Sequence, residues 1–257
     1  MFVTAQQLEQ QMPDATRLLS DEPEMETSLH YMQLLLLVTS LEWLWQDKND
    51  FFIGANLTIY FSRQQLRNRD FRGPDFFLVK DTEKRPRSSW VVWEENGNYP
   101  DLIIELLSDS TASTDRNLKK SLYQNRFRTP EYFWFSPENL EFAGFELVGT
   151  SYQEIIPNTQ GWLWSQVLNL YLGIYNSQLR YFTPEGELVP TPEEAARLAQ
   201  QQAKQLQEEA QQQIQQAQQQ AQEQIQQAQT RAEQAELRSR RLEAELRSRG
   251  INPDSVT

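Results

Sequence analysis

The hydrophobic and polar positions divide the chain into a polar start, a long apolar region and a glutamine-rich end. From residue 28 to residue 45 the sequence SLHYMQLLLLVTSLEWLW has no Gly or Pro and is apolar on more than one helical stripe. This pattern predicts a mostly buried helix. Its first turn differs, because Glu26, His30 and Gln33 follow one another at i, i+4 and i+7 and form one polar edge.

Short β-rich runs follow this helix, each of strand length and bounded by turn residues. They cover residues 51–54, 57–61, 76–79, 90–93, 102–107 and 132–135, and then a hairpin over 142–148 and 152–156. The run at 102–107, LIIELL, is apolar on both faces apart from Glu105, as in a central strand. Residues 115–126 have Leu118 and Leu122 four apart, which is typical of an amphipathic helix. This order predicts an α/β fold in which helices pack on a mixed sheet.

The glutamine-rich end predicts one long helix. Thr191 is a good N-cap, Pro192 occupies the first helical position, and Gly250 follows the last turn. Between them the apolar positions recur at spacings of 3, 4 and 4, an eleven-residue period. They are Ala203, Leu206, Ala210, Ile214, Ala217, Ala221, Ile225, Ala228 and Ala232. Because such a helix has little to bury on its own, we expect a homo-oligomeric coiled coil, nearly straight or slightly right-handed. A lone solvated helix or a disordered tail is the alternative.

These patterns give a predicted division of the chain. The segments are a flexible N-terminal arm at 1–23, a folded domain at 24–185, a linker at 186–191, the long helix at 192–249 and a flexible tail at 250–257.

The composition excludes several kinds of site. The 257 residues include no Cys and one His, which rules out disulfide scaffolds, thiol nucleophiles and Cys-based metal centres and argues against a Ser-His-Asp triad. Any metal chemistry must therefore use carboxylates. The longest apolar run, at 34–38, is too short to span a bilayer, and the first twenty residues lack a signal-peptide pattern. We expect a soluble, cytoplasmic protein.

The charges are unevenly distributed. A net charge of −12 opposes binding to nucleic acid, which requires Lys and Arg against phosphates. The chain has 24 Lys and Arg, of which 8 lie in the long helix, and most of the other 16 fall at 63–87 and 116–128. Such clusters are what a phosphate-facing surface requires. A solvated helix face and a charged loop are the simpler explanation.

Two acids on predicted strands are candidates for metal chemistry. Asp75 follows Gly-Pro at the start of one strand, and Glu105 is the single charge within another. A carboxylate among apolar side chains is unfavourable unless it is paired or bound to a cation. Two such acids on neighbouring strands suit Mg²⁺, which prefers oxygen ligands. The alternative is that Glu105 points to a sheet edge and pairs with an Arg or Lys.

Asp101 is a second acid on the strand that carries Glu105. The two are four residues apart, or about 13 Å along an extended strand, so they cannot share one ion. We therefore expect Asp101 to be hydrogen-bonded to backbone at the entry to the strand.

Three segments resemble the Uma-type family of restriction-endonuclease-like bacterial proteins, a branch of the PD-(D/E)XK nuclease superfamily. They are RGPDFFLVKD, YPDLIIELLSDST and DRNLKKSLYQNRFRTPEYFWF, and the resemblance covers roughly residues 24–185. It implies a restriction-endonuclease-like fold with an αβββαβ core, a mixed sheet flanked by helices. That order agrees with the one that the hydrophobic pattern predicts.

The resemblance also implies roles for individual residues. Asp75 in GPD and Glu105 in LIIEL match the two metal-binding acids. The superfamily's Lys normally stands two residues after the second acid, but Leu107 occupies that position. The resemblance moves this Lys to the next helix, where D-x-x-x-K-x-x-x-Y is matched along one helical face by Asp115, Lys119 and Tyr123. Lys120 is the fallback for Lys119.

A further metal-binding acid on the first helix is matched less clearly. The polar edge that contains Glu26 and His30 occupies its place, so Glu26 is a candidate metal ligand and His30 a candidate for positioning substrate. Asp115, Lys120 and Tyr123 are further candidates for positioning substrate.

The resemblance thus implies a Mg²⁺- or Mn²⁺-dependent endonuclease that acts on nucleic acid, with DNA favoured over RNA. Asp75 and Glu105 would bind the metal and Lys119 would assist the attack of water. The alternative is a catalytically inactive scaffold or regulatory protein of the same fold that interacts through its coiled coil. The acidic bulk of the chain and its glutamine-rich helix favour this second possibility.

Overall fold

The structure is a computed structural model that describes residues 18–20, 22, 25, 27–62, 73–108 and 115–250; at 115 and 116 it describes the backbone. It divides into two compact units, Met1–Glu194 and Ala195–Thr257.

Unit one is mostly β-structure. Its strands are β1 (Phe51–Ala55), β2 (Ile59–Tyr60), β3 (Phe76–Lys80), β4 (Trp90–Val91), β5 (Leu102–Leu106), β6 (Glu131–Phe135), β7 (Phe142–Val148), β8 (Ser151–Glu154), β9 (Leu163–Ser165), β10 (Leu170–Tyr175) and β11 (Gln178–Phe182). Helix α1 spans Ser28–Leu44. Helix α2 spans 115–127 and is π-helical at Asp115–Lys119, α-helical at Lys120–Leu122 and π-helical again at Tyr123–Phe127.

A six-stranded sheet in the order β1-β3-β5-β6-β7-β8 is the centre of the fold. Strands β5 and β6 are parallel, and the other neighbours in this sheet are antiparallel. A parallel neighbour requires a crossover connection, and α2 lies in that connection between β5 and β6. The predicted fold class, a mixed sheet with helices packed on it and a long C-terminal helix, is confirmed.

The two faces of the sheet carry separate cores. Strand β5 alternates between them, so Leu102 and Ile104 face one side while Ile103 and Glu105 face the other. Helix α1 packs on the first side through Leu37 and Leu41, both fully buried. Helix α2 packs on the second side.

Helix α2 buries only part of the edge that its leucines indicate, because Leu122 packs partly buried against the core and Leu118 does not. Leu118 is 71% exposed, whereas Tyr123 is fully buried and Phe127 is 4% exposed. The aromatic rings of Tyr123 and Phe127 contact each other and fill the core on that side of the sheet. Because Lys119 precedes Tyr123 by four residues, it lies on the same inward edge.

A three-stranded sheet, β11-β10-β9, packs on the core beside α1, and the sequence pattern did not predict it. The side chain of Gln33 on α1 donates to the Leu179 carbonyl at 2.9 Å and accepts from the Leu179 N–H at 3.0 Å. This pair of hydrogen bonds ties α1 to β11.

The described residues of the predicted N-terminal arm are hydrogen-bonded to the folded region. The Ser20 N–H donates to the Ser88 carbonyl at 3.0 Å, and the Tyr60 hydroxyl donates to the Leu19 carbonyl at 2.8 Å. The chain therefore enters the fold by residue 20.

Helix α3 spans Pro192–Ser248, and none of its residues is buried within the chain. At its start Thr191 Oγ1 accepts from the Glu194 N–H at 3.2 Å, as the predicted N-cap requires. In the ranges that the structure describes, no helix combines the length and hydropathy that crossing a bilayer needs.

Candidate active site

Pairing of β3 with β5 brings the two candidate acids together. Phe76 pairs with Ile104 and Phe77 with Ile103, so continuing this register sets Asp75 opposite Glu105, on the α2 side of the sheet. Oδ2 of Asp75 accepts from the Leu106 N–H at 2.8 Å, and the Asp75 N–H lies 3.4 Å from Glu105 Oε2. The two strand ends are thus tied to each other through both acids.

Glu105 is fully buried, and helix α2 supplies two of its partners. Lys119 Nζ lies 3.0 Å from Glu105 Oε2, and the Tyr123 hydroxyl donates to Oε1 at 2.6 Å. The Lys119 side chain is 14% exposed. A buried carboxylate requires both a counter-charge and hydrogen bonds to its oxygens, and the spacing of four residues on α2 delivers both to the same carboxylate.

The alternative in which Glu105 points to a sheet edge does not describe this arrangement. Glu105 lies on β5 in the centre of the six-stranded sheet and faces α2. Pairing with a lysine, which that alternative also contained, does occur.

The carboxylate oxygens of Asp75 and Glu105 are ligands of the kind that a divalent cation such as Mg²⁺ prefers. Mg²⁺ is commonly bound by one or two carboxylates together with water and phosphate oxygens, and Asp75 and Glu105 provide two carboxylates at adjacent strand ends. Within the described ranges no three His, Asp or Glu side chains cluster closely enough to enclose a metal by themselves. The remaining acid of the predicted set, Glu26, lies outside the described residues.

His30 is buried behind the end of β5. It is 3% exposed, its Nε2 lies 3.1 Å from the Leu107 carbonyl oxygen, and its Nδ1 lies 2.7 Å from Thr27 Oγ1. Because a carbonyl only accepts hydrogen bonds, Nε2 carries the proton in this contact. The ring therefore joins the first turn of α1 to the residue two positions after Glu105.

Lys120, the fallback for Lys119, points elsewhere. Its ammonium lies 3.2 Å from the centroid of the Phe145 ring on β7. Burial lowers the pKa of Lys120, and the nearby carboxylate of Glu154 partly opposes that shift. Of the two lysines, Lys119 is the one in contact with Glu105. The side chain of Asp115 lies outside the described part of the chain.

Several members of the basic clusters are engaged within the fold. Arg87 forms a bidentate pair with Glu95, at 2.6 and 2.9 Å, and its side chain is 3% exposed. Arg85 also bonds Glu95, at 2.9 Å, and Lys84 pairs with Glu42. The arginines at 63–72 lie outside the described residues. The charges at 84–87 therefore pair with acids of the same fold, and Arg87 is buried rather than solvated.

The structure adds Glu22 to the surroundings of the site. Its Oε1 accepts from the Gly73 N–H, two residues before Asp75, and from the Thr58 hydroxyl at 2.7 Å. A Cβ at Gly73 would lie 2.2 Å from the Leu57 carbonyl oxygen, so the loop that presents Asp75 requires glycine there. Glu22 stands in a polar segment without periodicity, so nothing local in the sequence marks it.

Asp101 behaves as predicted at the other end of β5. Its Oδ2 accepts from the Lys80 N–H at 2.7 Å. Burial raises its pKa, although the bond from Lys80 opposes that shift.

Comparison with known proteins shows one matching family and a similar solved structure. The profile of the Uma2 family, described as "Putative restriction endonuclease", matches residues 6–180. Among solved structures, a protein from Anabaena variabilis described as "a putative nuclease belonging to DUF820" is similar at 14% identity and a TM-score of 0.39, over 53% of this chain and 75% of that one. The comparison with curated proteins gave no match.

Proposed function

This chain belongs to the Uma2 family, and from that premise we propose that it is a metal-dependent phosphodiesterase that cleaves nucleic acid, with DNA preferred to RNA. One observation carries the proposal. Glu105 is fully buried at the end of a central strand, opposite Asp75, with Lys119 Nζ at 3.0 Å. Ionic groups at such depth are unfavourable for folding alone and concentrate at functional sites.

In this proposal Asp75 and Glu105 hold Mg²⁺ or Mn²⁺, and Glu26 is a candidate third ligand. When bound, the metal lowers the pKa of a coordinated water and neutralises charge on the phosphate. Tyr123 fixes the orientation of the Glu105 carboxylate by donating to Oε1. Asp75 is held in place by the Leu106 N–H.

Lys119 acts on the substrate. In hydrolysis, the oxygen of water forms a bond to phosphorus and releases a proton to solvent, while the bond to the ester oxygen breaks and that oxygen leaves with a proton from solvent. The Lys119 ammonium donates a hydrogen bond to a non-bridging phosphate oxygen, whose negative charge grows as the bond to water forms. It donates to Glu105 before substrate arrives, so its charge is already positioned.

The metal part of this proposal is tested by calorimetric titration with Mg²⁺. We expect saturable binding to the full chain and loss of that binding in Asp75→Asn and Glu105→Gln, which keep an acceptor oxygen at each position. Asp101→Asn is the matched control, since Asp101 also accepts a backbone hydrogen bond on the same sheet, at the opposite end of β5. Equal binding by all four proteins would overturn the assignment.

The nuclease part is tested separately, with supercoiled plasmid DNA and Mg²⁺. Asp75→Asn and Glu105→Gln should lose cleavage while remaining folded by circular dichroism, and Asp101→Asn should retain it. Single-stranded RNA of equal charge is the comparison substrate for the preference for DNA.

A second candidate function is that of a nuclease-fold scaffold that acts through self-association of α3. The specific observation in its favour is a 57-residue helix with no buried residue. A scaffold without a working site would give no Mg²⁺ binding that depends on Asp75. The two candidates therefore differ in the calorimetric result.

A further inference from the structure

Helix α3 carries an apolar stripe whose period changes along its length. From Ala203 to Ala232 the stripe follows the eleven-residue period, and after Ala232 it continues at spacings of 3, 4, 3 and 4. The later positions are Ala235, Ser239, which is a small polar residue within the stripe, Leu242 and Leu246. On this helix Ile214 and Ile225, two members of the stripe, are each 58% exposed.

The two periods favour different supercoils. An eleven-residue repeat gives a right-handed coil, and a seven-residue repeat gives a left-handed one. If two copies pair in parallel and in register, the eleven-residue segments of the two helices face each other, and so do the seven-residue segments. A full antiparallel overlap would instead set the seven-residue segment of one copy against the eleven-residue segment of the other, with opposite preferred twist.

The charges beside the seven-residue segment also favour a parallel orientation of the two helices. With Ala232 and Ser239 at heptad position a, Arg231 and Arg238 occupy position g, while Glu236 and Glu243 occupy position e. In a parallel pair, position g of one helix faces position e of the other five residues further on. Arg231 then meets Glu236 of the second copy, and Arg238 meets Glu243.

We propose that α3 pairs with α3 of a second copy of this chain as a parallel, in-register two-stranded coil, with Arg231–Glu236 and Arg238–Glu243 contacts between copies fixing the orientation. The apolar stripes of two copies can pack against each other, and the many alanines in the stripe allow the two helices to approach closely. Within one copy, Arg240 and Glu236 form a long 3.9 Å pair whose side chains are both about three-quarters exposed. An exposed ion pair of this length contributes little to the stability of a single helix. This pairing is independent of nuclease activity.

Charge variants of the full chain test the pairing by sedimentation equilibrium. The unaltered chain should sediment at twice its 30.3 kDa. Arg231→Glu with Arg238→Glu should raise the dissociation constant at least tenfold, and Glu236→Arg with Glu243→Arg should do the same. An equimolar mixture of the two variants should restore the pair.

The matched control is Arg240→Glu with Arg241→Glu, which makes the same change of charge at positions b and c, away from the stripe. It should leave the mass unchanged. Equal loss in this control, or no recovery on mixing, would overturn the charge pairing, and a monomeric unaltered chain would overturn self-association.

Orientation is tested by disulfide crosslinking, which is simple because the chain has no Cys. Ala203→Cys and Ala235→Cys lie on the stripe near its two ends. In a parallel pair each variant forms disulfide-linked dimers with itself under mild oxidation. Crosslinking that appears only when the two variants are mixed would show an antiparallel pair and overturn the proposal. Ala244→Cys, at position f on the outer side of the helix, is the control that should not crosslink.

Discussion

Lys119 Nζ lies 3.0 Å from Oε2 of Glu105, a carboxylate with no exposed surface. The pair joins helix α2 to the centre of the sheet. Removing one partner of a buried ion pair leaves the other charge uncompensated, which destabilises proteins by about 3 kcal/mol or more. We therefore expect Lys119→Met to lower the free energy of unfolding by about 3 kcal/mol, measured by urea denaturation without metal.

The same variant separates the roles of Lys119 and the acids in catalysis. Because an ammonium is not a metal ligand, Lys119→Met should lower kcat for DNA cleavage while Mg²⁺ affinity stays nearly unchanged. Lys120→Met is the control, since the Lys120 ammonium lies over Phe145, and its kcat should match the unaltered chain. Loss of kcat in Lys120→Met with normal turnover in Lys119→Met would transfer the role to Lys120.

Tyr123→Phe should lower the free energy of unfolding without leaving a cavity in the core. The substitution keeps the buried ring and removes the hydroxyl that donates to Glu105 Oε1 at 2.6 Å. A hydrogen bond to a charged group contributes about 1.5–3 kcal/mol, and urea denaturation should show a loss of that size. Tyr152→Phe is the comparison, because its hydroxyl donates to the neutral Thr129 carbonyl. An equal loss in the two variants would show that the charge of Glu105 does not strengthen the Tyr123 bond.

His30 should affect turnover indirectly, because it is hydrogen-bonded to Leu107 just after strand β5, which carries Glu105. His30→Leu leaves the Leu107 carbonyl without the imidazole donor at 3.1 Å, and an unsatisfied buried group costs about 1–3 kcal/mol. Because Leu107 follows Glu105 by two residues, kcat should fall while KM for DNA changes little. Gln33→Leu removes hydrogen bonds from the same helix to Leu179 on β11. It should lower stability but leave kcat unchanged, and a large rise in KM in His30→Leu would indicate direct contact with substrate.

Local patterns in the sequence singled out the two acids, whereas Lys119 and Tyr123 were matched through the resemblance to the Uma-type family. Glu105 is a single charge in an apolar strand, and Asp75 follows Gly-Pro at the start of another strand. The same reasoning misjudged Leu118, which is 71% exposed. The inward edge of α2 is set mainly by the aromatic residues Tyr123 and Phe127, with Leu122 partly buried beside them, because large rings fill the space between helix and sheet.

Contacts distant in sequence could not be predicted in this way. Glu22 reaches the Gly73 N–H across 51 residues, and Gln33 reaches Leu179 across 146. Strand β9 has only three residues and is stable only as part of its sheet. These features depend on how distant segments pack, so no local periodicity indicates them.

The last prediction concerns Glu131, at the start of β6, which is 4% exposed. It accepts hydrogen bonds from the Gln166 and Val167 N–H groups, at 2.6 and 3.2 Å, and from the Ser165 hydroxyl. Burial raises the pKa of Glu131 above its ordinary value of 4.5, and these hydrogen bonds only partly oppose the shift. The folded state therefore binds a proton at Glu131 more tightly than the unfolded state does.

Stability from this group is fully present below pH 4.5 and is lost as the pH rises through the raised pKa of the folded state. Glu131→Gln cannot ionise, so any effect of its altered hydrogen bonds is independent of pH. The unfolding free energy of the unaltered chain minus that of Glu131→Gln should then fall as the pH rises above 4.5, and level off once Glu131 is ionised in the folded chain. Urea denaturation in steps between pH 4 and pH 8 measures this difference. A difference that grows with pH would mean that the hydrogen bonds from residues 165–167 outweigh burial and lower the pKa of Glu131.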